Sequence, residues 1–159
     1  KGHSVESALN VCYQYSRDNA RTPMQWNAKE NAGFTTGTPW FQVNPNYTQI
    51  NVETDLAAEK SVFKFYKKLI ALRKLSEYEE ILIEGNTRPV YTEEDFIFAY
   101  ERVSKDDNKK VLVISNYQNL EYNFKFNHTF EEVLLNNYDN LEIKNGELFL
   151  KPYQTVVLK

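Results

Sequence analysis

The chain has 159 residues, of which 42% are apolar, and a formal net charge of −3. This length and composition suit one globular domain or one and a half, with enough apolar residues for a buried core. The slight acidic excess argues against nucleic acid as a partner, because nucleic-acid binding requires a clustered basic face. No apolar run approaches the length of a membrane span and no signal-peptide pattern stands at Lys1, so we expect no membrane partner.

Cysteine and histidine are scarce, which restricts the chemistry that the chain can support. Cys12 is the only cysteine. A single cysteine excludes an intramolecular disulfide and favours a reducing compartment, so we expect a cytoplasmic protein. His3 and His128 are the only histidines, and they stand far apart without cysteine partners. We therefore expect no metal site, and nothing in the sequence indicates a cofactor.

The first half of the chain predicts two helices separated by a long irregular loop. Val5–Tyr13 reads as a short helix with Ser4 as its N-cap, and the loop then runs to about Asn51. A loop of this length in a compact domain is usually functional. The strongest helix is Ser61–Leu75, whose apolar face is formed by Val62, Phe63, Tyr66, Leu69, Ile70 and Arg73. Because an exposed apolar face would be adhesive, we expect it to pack on the later half or on a neighbouring molecule.

From Glu79 onward the apolar period changes to two, which predicts β-strands. Ser104–Asn108 reads as a hairpin turn, and Asn145-Gly146 is a strong two-residue turn signal. Short strands at this spacing are typical of an antiparallel sandwich with Greek-key connections. We therefore predict a mainly β fold with short strands over 80–83, 88–91, 96–100, 110–114, 121–126, 132–135, 141–143, 147–150 and 155–158.

The loop at Ser16–Trp26 carries the side chains most suited to a binding site. Arg17, Asp18, Asn19 and Arg21 together offer forked donors and a carboxylate, which suit a ligand rich in hydroxyl groups. Flat apolar faces stand close by in the sequence, as they do in many pockets for small polar ligands. They belong to Trp26, Phe34, Trp40 and Phe41. The alternative at this point is a buried arginine–aspartate network that only braces the loop.

Several motifs resemble the late catalytic-domain segment of the α-amylase superfamily, closest to the oligo-1,6-glucosidase branch. That branch includes dextran glucosidases, phosphotrehalases and sucrose isomerases. The motifs are SRDNARTPMQW at 16–26, NAGFTTGTPW at 31–40, VNPNYTQINVE at 43–53 and SVFKFYKKLIALRK at 61–74. EEDFIFAYERV, KKVLVISNY and LKPYQTVVLK look like the C-terminal β-domain of the same branch. The resemblance implies that residues 1–77 are the last part of a (β/α)8 barrel and that residues 78–159 are a β-sandwich domain.

The resemblance further implies part of an intracellular α-glucosidase that removes terminal α-1,6-linked glucose with retention of configuration. The family's nucleophilic aspartate and acid/base glutamate lie upstream of these motifs, so we expect no catalytic residue in this chain and no activity from it alone. The remaining barrel would then be its partner. Arg17 matches the family residue that hydrogen-bonds the non-reducing glucose. Asp18, Asn19 and Arg21 are expected to brace the loop beside it. Asn27 departs from the aspartate that the family commonly has after MQW.

Other functions remain open on the sequence. Phosphotrehalase or sucrose isomerase chemistry is possible within the same family, although Met24 stands where sucrose isomerases tend to carry phenylalanine. A non-catalytic chain resembling the transporter heavy chains is a second alternative, which the intact RDNARTP motif disfavours. A carbohydrate-binding module is a third, because six tyrosines could form an exposed platform, although strand tyrosines more often pack. They are Tyr91, Tyr100, Tyr117, Tyr122, Tyr138 and Tyr153.

Overall fold

The computed structural model describes residues 2 and 4–159. The chain divides into two compact units, Lys1–Lys64 and Phe65–Lys159, which we call the first and the second unit. None of the helices among the described residues has the length and apolar content that crossing a membrane requires. The predicted division into 1–77 and 78–159 follows from the family resemblance and stays a prediction.

The described part of the first unit contains two α-helices joined by a long segment with three short 3-10 turns. Helix α1 spans Val5–Tyr15 and begins as predicted, because the Ser7 N–H donates to the Ser4 hydroxyl at 3.1 Å. The 3-10 turns are Asp18–Ala20, Glu30–Gly33 and Pro45–Thr48, and α2 spans Val52–Ala57. The second of these turns has left-handed backbone at Asn31, Ala32 and Gly33.

Helix α2 lies where the sequence predicted the end of the loop. Its N-cap, Asn51, is 6% exposed and accepts a hydrogen bond from the Thr54 N–H at 2.9 Å. The Asn51 side-chain amide also donates to the Tyr47 carbonyl at 2.9 Å. The side chain of Asn51 therefore joins the last 3-10 turn to the start of α2. Apolar periodicity in the sequence does not predict these two hydrogen bonds.

Helix α3, Val62–Lys74, starts on the carboxylate of Asp55. The Val62 and Phe63 N–H groups each donate to Asp55 at 3.0 Å, and the Ser61 hydroxyl donates to it at 2.8 Å. Ser61 in turn accepts from the Lys64 N–H at 3.1 Å. These bonds satisfy the orphan donors at the helix start. They also lower the pKa of Asp55, with the bond from Phe63 as the largest cause.

The second unit begins within α3 and continues through α4, Glu79–Glu84, into a sandwich of eight antiparallel strands. The strands are β1 Asn86–Pro89, β2 Ile97–Val103, β3 Lys110–Asn116, β4 Tyr122–Lys125, β5 Val133–Asn136, β6 Glu142–Lys144, β7 Glu147–Leu150 and β8 Thr155–Leu158. One sheet has the order β1-β2-β3-β8-β5 and the other the order β4-β7-β6. The predicted mainly β, antiparallel fold is therefore confirmed.

Two predicted turns are confirmed. The segment after β2 joins it to β3 in a hairpin, closed by the Ser104 N–H donating to the Lys109 carbonyl at 3.0 Å. Asn145 and Gly146 have φ values of 53° and 78° and connect β6 to β7. Both residues lie in the left-handed region that a two-residue hairpin turn requires.

Both faces of the five-stranded sheet are covered in the second unit. Its inner face packs on the three-stranded sheet through a core that includes Ile114, Phe124 and Leu148. Its outer face carries Val111, Leu135 and Val157, which cluster with Tyr78 just before α4 and with the helical residues Ile81, Phe65 and Leu72. Burial on both faces explains the nearly continuous apolar run in β3.

The strand predicted at 80–83 is wrong, because these residues form helix α4. A short apolar run does not distinguish a buried strand from one buried helical turn. Glu79 and Glu80 lie in the first turn, where the helix dipole favours negative charge. Gly85 ends the helix by donating to the Ile81 carbonyl at 3.0 Å. A Cβ atom at Gly85 would lie 2.4 Å from that oxygen, so a larger residue would force the backbone apart.

The packing predicted for the apolar face of α3 is also wrong with respect to the later half of the chain. Phe65 and Leu72, two turns apart on the helix, pack against the sheet instead. The sequence predicted that α3 is amphipathic. It did not determine which of the large apolar side chains are buried, because they lie on more than one side of the helix. The residues of the predicted face stay exposed, at 68% for Val62, 54% for Phe63, 60% for Tyr66, 40% for Leu69 and 53% for Ile70.

A carboxylate occupies one inward position of β2. Glu101 is 5% exposed and lies between the buried residues Ala99 and Val103 on the same face. Its oxygens lie 3.6 Å from Arg88 Nη1, 3.7 Å from Lys110 Nζ and 3.4 Å from His128 Nε2. The side chains of Arg88, Lys110 and His128 therefore surround this buried acidic group, as a buried polar side chain requires.

We expect Asp55→Asn to accelerate amide exchange at Val62 and Phe63 several-fold at pH 7, since it removes the charge that both N–H groups contact. Because the folded-state pKa of Asp55 is lowered, its contribution is present above the unfolded pKa of about 4 and is lost as the pH falls through the folded value. The difference from the unsubstituted chain should therefore shrink in acid. Exposed Glu59→Gln is the matched control, and equal exchange in both variants at pH 7 would contradict the capping role.

We expect Glu101→Gln to lower the free energy of unfolding by about 1–3 kcal/mol, because three basic groups lose their shared buried partner. Urea unfolding at pH 7 measures this change. Glu142→Gln is the control, because Glu142 pairs with Lys144 on the surface, where loss of an ion pair costs less than about 1 kcal/mol. Equal effects of the two substitutions would show that burial of Glu101 contributes nothing.

Candidate functional site

The two arginines of the RDNAR motif lie at the ends of one tight turn. The Asp18 N–H donates to the Ser16 hydroxyl at 3.2 Å, directly after α1 ends. The Ala20 N–H then donates to the Arg17 carbonyl at 3.1 Å, and the Arg21 N–H donates to the Asp18 carbonyl at 3.0 Å. A single 3-10 turn therefore brings the backbones of Arg17 and Arg21 close together.

The charged side chains of this turn are exposed. Arg17, Asp18 and Arg21 all face solvent, and within the described residues no ion pair joins any of them to a partner. The side chain of Asn19 lies outside what the structure describes. The planar, permanently charged fork of Arg17 is therefore free to donate to neighbouring oxygen atoms of a ligand. The bracing roles expected for Asp18, Asn19 and Arg21 stay predictions.

The segment that follows is fixed by hydrogen bonds on both sides of its backbone. The N–H groups of Trp26 and Asn27 donate to the Ala32 carbonyl at 2.9 and 3.1 Å. The carbonyls of Gln25 and Trp26 accept from the Val52 and Glu53 N–H groups at 2.9 and 3.0 Å. Residues 25–27 thus lie between the turn at 30–33 and the start of α2, and we call this arrangement the loop frame.

The side chain of Gln25 completes the loop frame. Its amide nitrogen donates to Asn46 Oδ1 at 3.0 Å and to the carbonyl of Ile50. Asn46 lies in the last 3-10 turn, 21 residues from Gln25, and Ile50 follows that turn, 25 residues from Gln25. These bonds connect the RTPMQW segment to this later part of the loop. The Gln25 side chain therefore stabilises the loop frame.

The aromatic side chains of the loop are open to solvent. Trp26 and Phe34 are each 49% exposed and Trp40 is 91% exposed. The Trp40 and Phe41 rings contact each other with their centroids 4.9 Å apart. The structure thus pairs two of the four predicted rings, and all of them remain within the first unit. The chemistry that this unit offers is hydrogen bonding from exposed guanidinium groups and contact with exposed aromatic rings.

Left-handed backbone at Asn31–Gly33 is a feature of this loop that sequence reasoning missed. The φ values are 52°, 57° and 66° for three successive residues, of which only the last is glycine. An asparagine and a glycine two residues apart were the available signal, since both tolerate this conformation.

The tyrosines of the second unit do not form one exposed platform. Tyr91 and Tyr122 pack against the core between the sheets, as the packing interpretation predicted. Tyr91 also contacts His128 Nδ1 through its hydroxyl at 2.6 Å, and burial raises the pKa of Tyr91. Of the six candidate tyrosines, only Tyr117 and Tyr153, at 56% and 57%, are more than half exposed. Among the described residues, no group of three or more His, Cys, Asp or Glu side chains could hold a metal ion.

Two known protein families match the two halves of the chain. Residues 1–85 match the alpha-amylase catalytic domain family, and residues 97–157 match the C-terminal domain family of the alpha-amylase SusG. The chain is 40% identical to an oligo-1,6-glucosidase of Bacillus cereus and 39% identical to a trehalose-6-phosphate hydrolase of Bacillus subtilis, and all of it is covered in both comparisons.

The chain spans 28% of the length of each of these two relatives. Among solved structures, an isomaltulose synthase of a Klebsiella species superposes with a TM-score of 0.84 and 33% identity, over 99% of this chain and 28% of that one. Three relatives with three different reactions therefore share this part of the molecule. The family match covers more than half of the chain, and the chain belongs to the α-amylase superfamily.

Proposed function

We propose that the chain is part of an α-glucosidase that hydrolyses terminal α-1,6-glucosidic bonds of isomalto-oligosaccharides. The observation that carries the proposal is Arg17, an exposed guanidinium without an ion pair among the described residues, on a turn that precedes the loop frame in the sequence. Arg17 hydrogen-bonds the hydroxyl groups of the glucose at the non-reducing end. The first unit supplies this binding group, and the oligosaccharide is its ligand.

The two carboxylates that break the glucosidic bond belong to the part of the catalytic domain that lies outside this chain. Retaining hydrolysis requires one carboxylate as nucleophile and a second as acid and then base, both facing one glucosidic bond. The remaining barrel is therefore the partner of this chain, and the chain alone is inactive. The single cysteine, which is exposed, favours a reducing, cytoplasmic location for the whole protein.

Trehalose-6-phosphate hydrolysis is the second candidate, because the relative with that name is as similar to this chain as the oligo-1,6-glucosidase is. Sucrose isomerisation is less favoured, since Met24 stands where those enzymes tend to carry phenylalanine. A carbohydrate-binding role of the second unit has limited support, because only two of its six candidate tyrosines are mostly exposed.

A substrate panel tests the activity. We expect the longer protein that contains this chain to hydrolyse p-nitrophenyl-α-glucoside and isomaltose, and the 159-residue chain to hydrolyse neither. Preference for trehalose 6-phosphate or conversion of sucrose would support the corresponding alternative. Activity of the chain alone would contradict the assignment of the carboxylates to the remaining barrel.

Substitution of Arg17 tests the binding role. We expect Arg17→Ala in the longer protein to lower kcat/KM for isomaltose about 100-fold, the loss expected for charge-assisted hydrogen bonds to a substrate. Arg17→Lys should recover only part of this loss, because an ammonium group lacks the planar fork.

Lys29→Ala is the matched control, since it removes an exposed basic side chain from the same unit. Its kcat/KM should remain near that of the unsubstituted protein. Unchanged kinetics in a folded Arg17→Ala variant would exclude Arg17 as the glucose ligand.

A further inference from the structure

Three successive residues of the loop that carries the candidate site have left-handed backbone. Asn31, Ala32 and Gly33 follow one another in the left-handed region, with φ of 52°, 57° and 66°. Residues other than glycine visit this region mainly as single residues, because their Cβ atom approaches the following carbonyl oxygen. Such strain persists only where the surrounding structure enforces it, and it concentrates at functional sites.

Burial and hydrogen bonds hold this left-handed turn in place. Ala32 is completely buried, and its carbonyl accepts the N–H groups of both Trp26 and Asn27. The Asn31 side chain donates to the carbonyls of Thr35 and Gly37 at 3.2 and 3.1 Å. The turn therefore holds the segment before it and the segment after it, and each of these segments carries exposed aromatic side chains.

Contact between Gly33 and Asn27 fixes the distance between these two parts of the loop. A Cβ atom on Gly33 would lie 2.5 Å from Asn27 Nδ2 and 2.6 Å from Asn27 Oδ1. The Asn27 side chain cannot simply turn away without a loss, because its Oδ1 accepts the Lys29 N–H at 3.0 Å. Only glycine at position 33 combines the left-handed φ with this close approach.

We propose that the left-handed turn at Asn31–Gly33 is the positioning element of the sugar site, acting through the backbone of Trp26 and Asn27. The turn sets where the RTPMQW segment lies while leaving the rings of Trp26 and Phe34 half exposed for contact with the ligand. Gly33 and Asn31 are thus positioning residues and touch no substrate atom. This inference rests on the proposed sugar-binding function and adds to it a determinant outside the RDNARTP motif.

A double-mutant cycle in the longer protein tests the inference. We expect Gly33→Ala to raise KM for p-nitrophenyl-α-glucoside about tenfold with a much smaller change in kcat, because a displaced binding wall weakens substrate and transition state alike. Hydrogen-exchange mass spectrometry should show faster exchange in the peptide that contains Trp26 and Asn27. A purely structural role would lower the melting temperature and leave KM of the folded enzyme unchanged.

The second arm of the cycle removes the collision. Asn27→Ala alone loses the bond from the Lys29 N–H but creates no collision, so it should raise KM less than Gly33→Ala does. Asn27→Ala combined with Gly33→Ala should recover most of the lost affinity. Asn31→Ala, which removes two side-chain bonds without a collision, is the variant to use if Gly33→Ala does not fold. It should raise KM about threefold, since one anchor of the turn is lost.

Two results would overturn the inference. The first is an unchanged KM in Gly33→Ala or Asn31→Ala, despite faster exchange around Trp26. The second is a raised KM that the added Asn27→Ala substitution does not relieve. Failure of the proposed function would appear differently, as absence of glucoside hydrolysis in the unsubstituted protein. In that case, glucose affinity measured by calorimetry replaces KM, and equal affinity in all variants overturns the inference.

Discussion

The candidate site depends on one constraint. The loop that carries it has no regular helix or strand, and its backbone groups must still be hydrogen-bonded. Residues 16–51 must satisfy their peptide groups without a continuous ladder, because buried unpaired N–H and C=O groups are costly. In this loop, one backbone carbonyl accepts two N–H groups, and amide side chains bond to other backbone and side-chain groups. Ala32 accepts two N–H groups, Gln25 donates to two distant oxygens, and Asn51 bonds at both of its side-chain atoms.

These bonds form a continuous series from the left-handed turn to helix α3. The turn holds Trp26 and Asn27, the carbonyl side of Gln25 and Trp26 holds the start of α2, and Asp55 of α2 holds the start of α3. Most of these links use backbone groups, and the side chains of Arg17, Trp26 and Phe34 are exposed. A rigid support beneath exposed donors and rings is what a preorganised binding surface requires.

The second unit meets the same constraint with regular structure and with buried polar residues at one end of the sandwich. Asn116 and Gln154 are each 1% exposed, and their amides donate to carbonyls of the adjoining loops. Glu101 is the acidic counterpart, a buried side chain whose oxygens lie within 4 Å of nitrogen atoms of Arg88, Lys110 and His128. Satisfied buried polar groups of this kind fix one arrangement of loops and strands.

Local signals in the sequence determined most of the elements. Ser4 marked the start of α1, a 3.6-residue period marked α3, and alternation with turn residues such as Asn145-Gly146 marked the strands, because each of these signals acts within a few residues. The motifs around Arg17 also determined the family. Only the tertiary structure decided that EEILIE is helix α4, that Phe65 and Leu72 are the buried side of α3, and that Glu101 faces inward. It also decided the left-handed turn at Asn31–Gly33 and its bonds to Trp26, since these outcomes depend on contacts between residues that no local period connects.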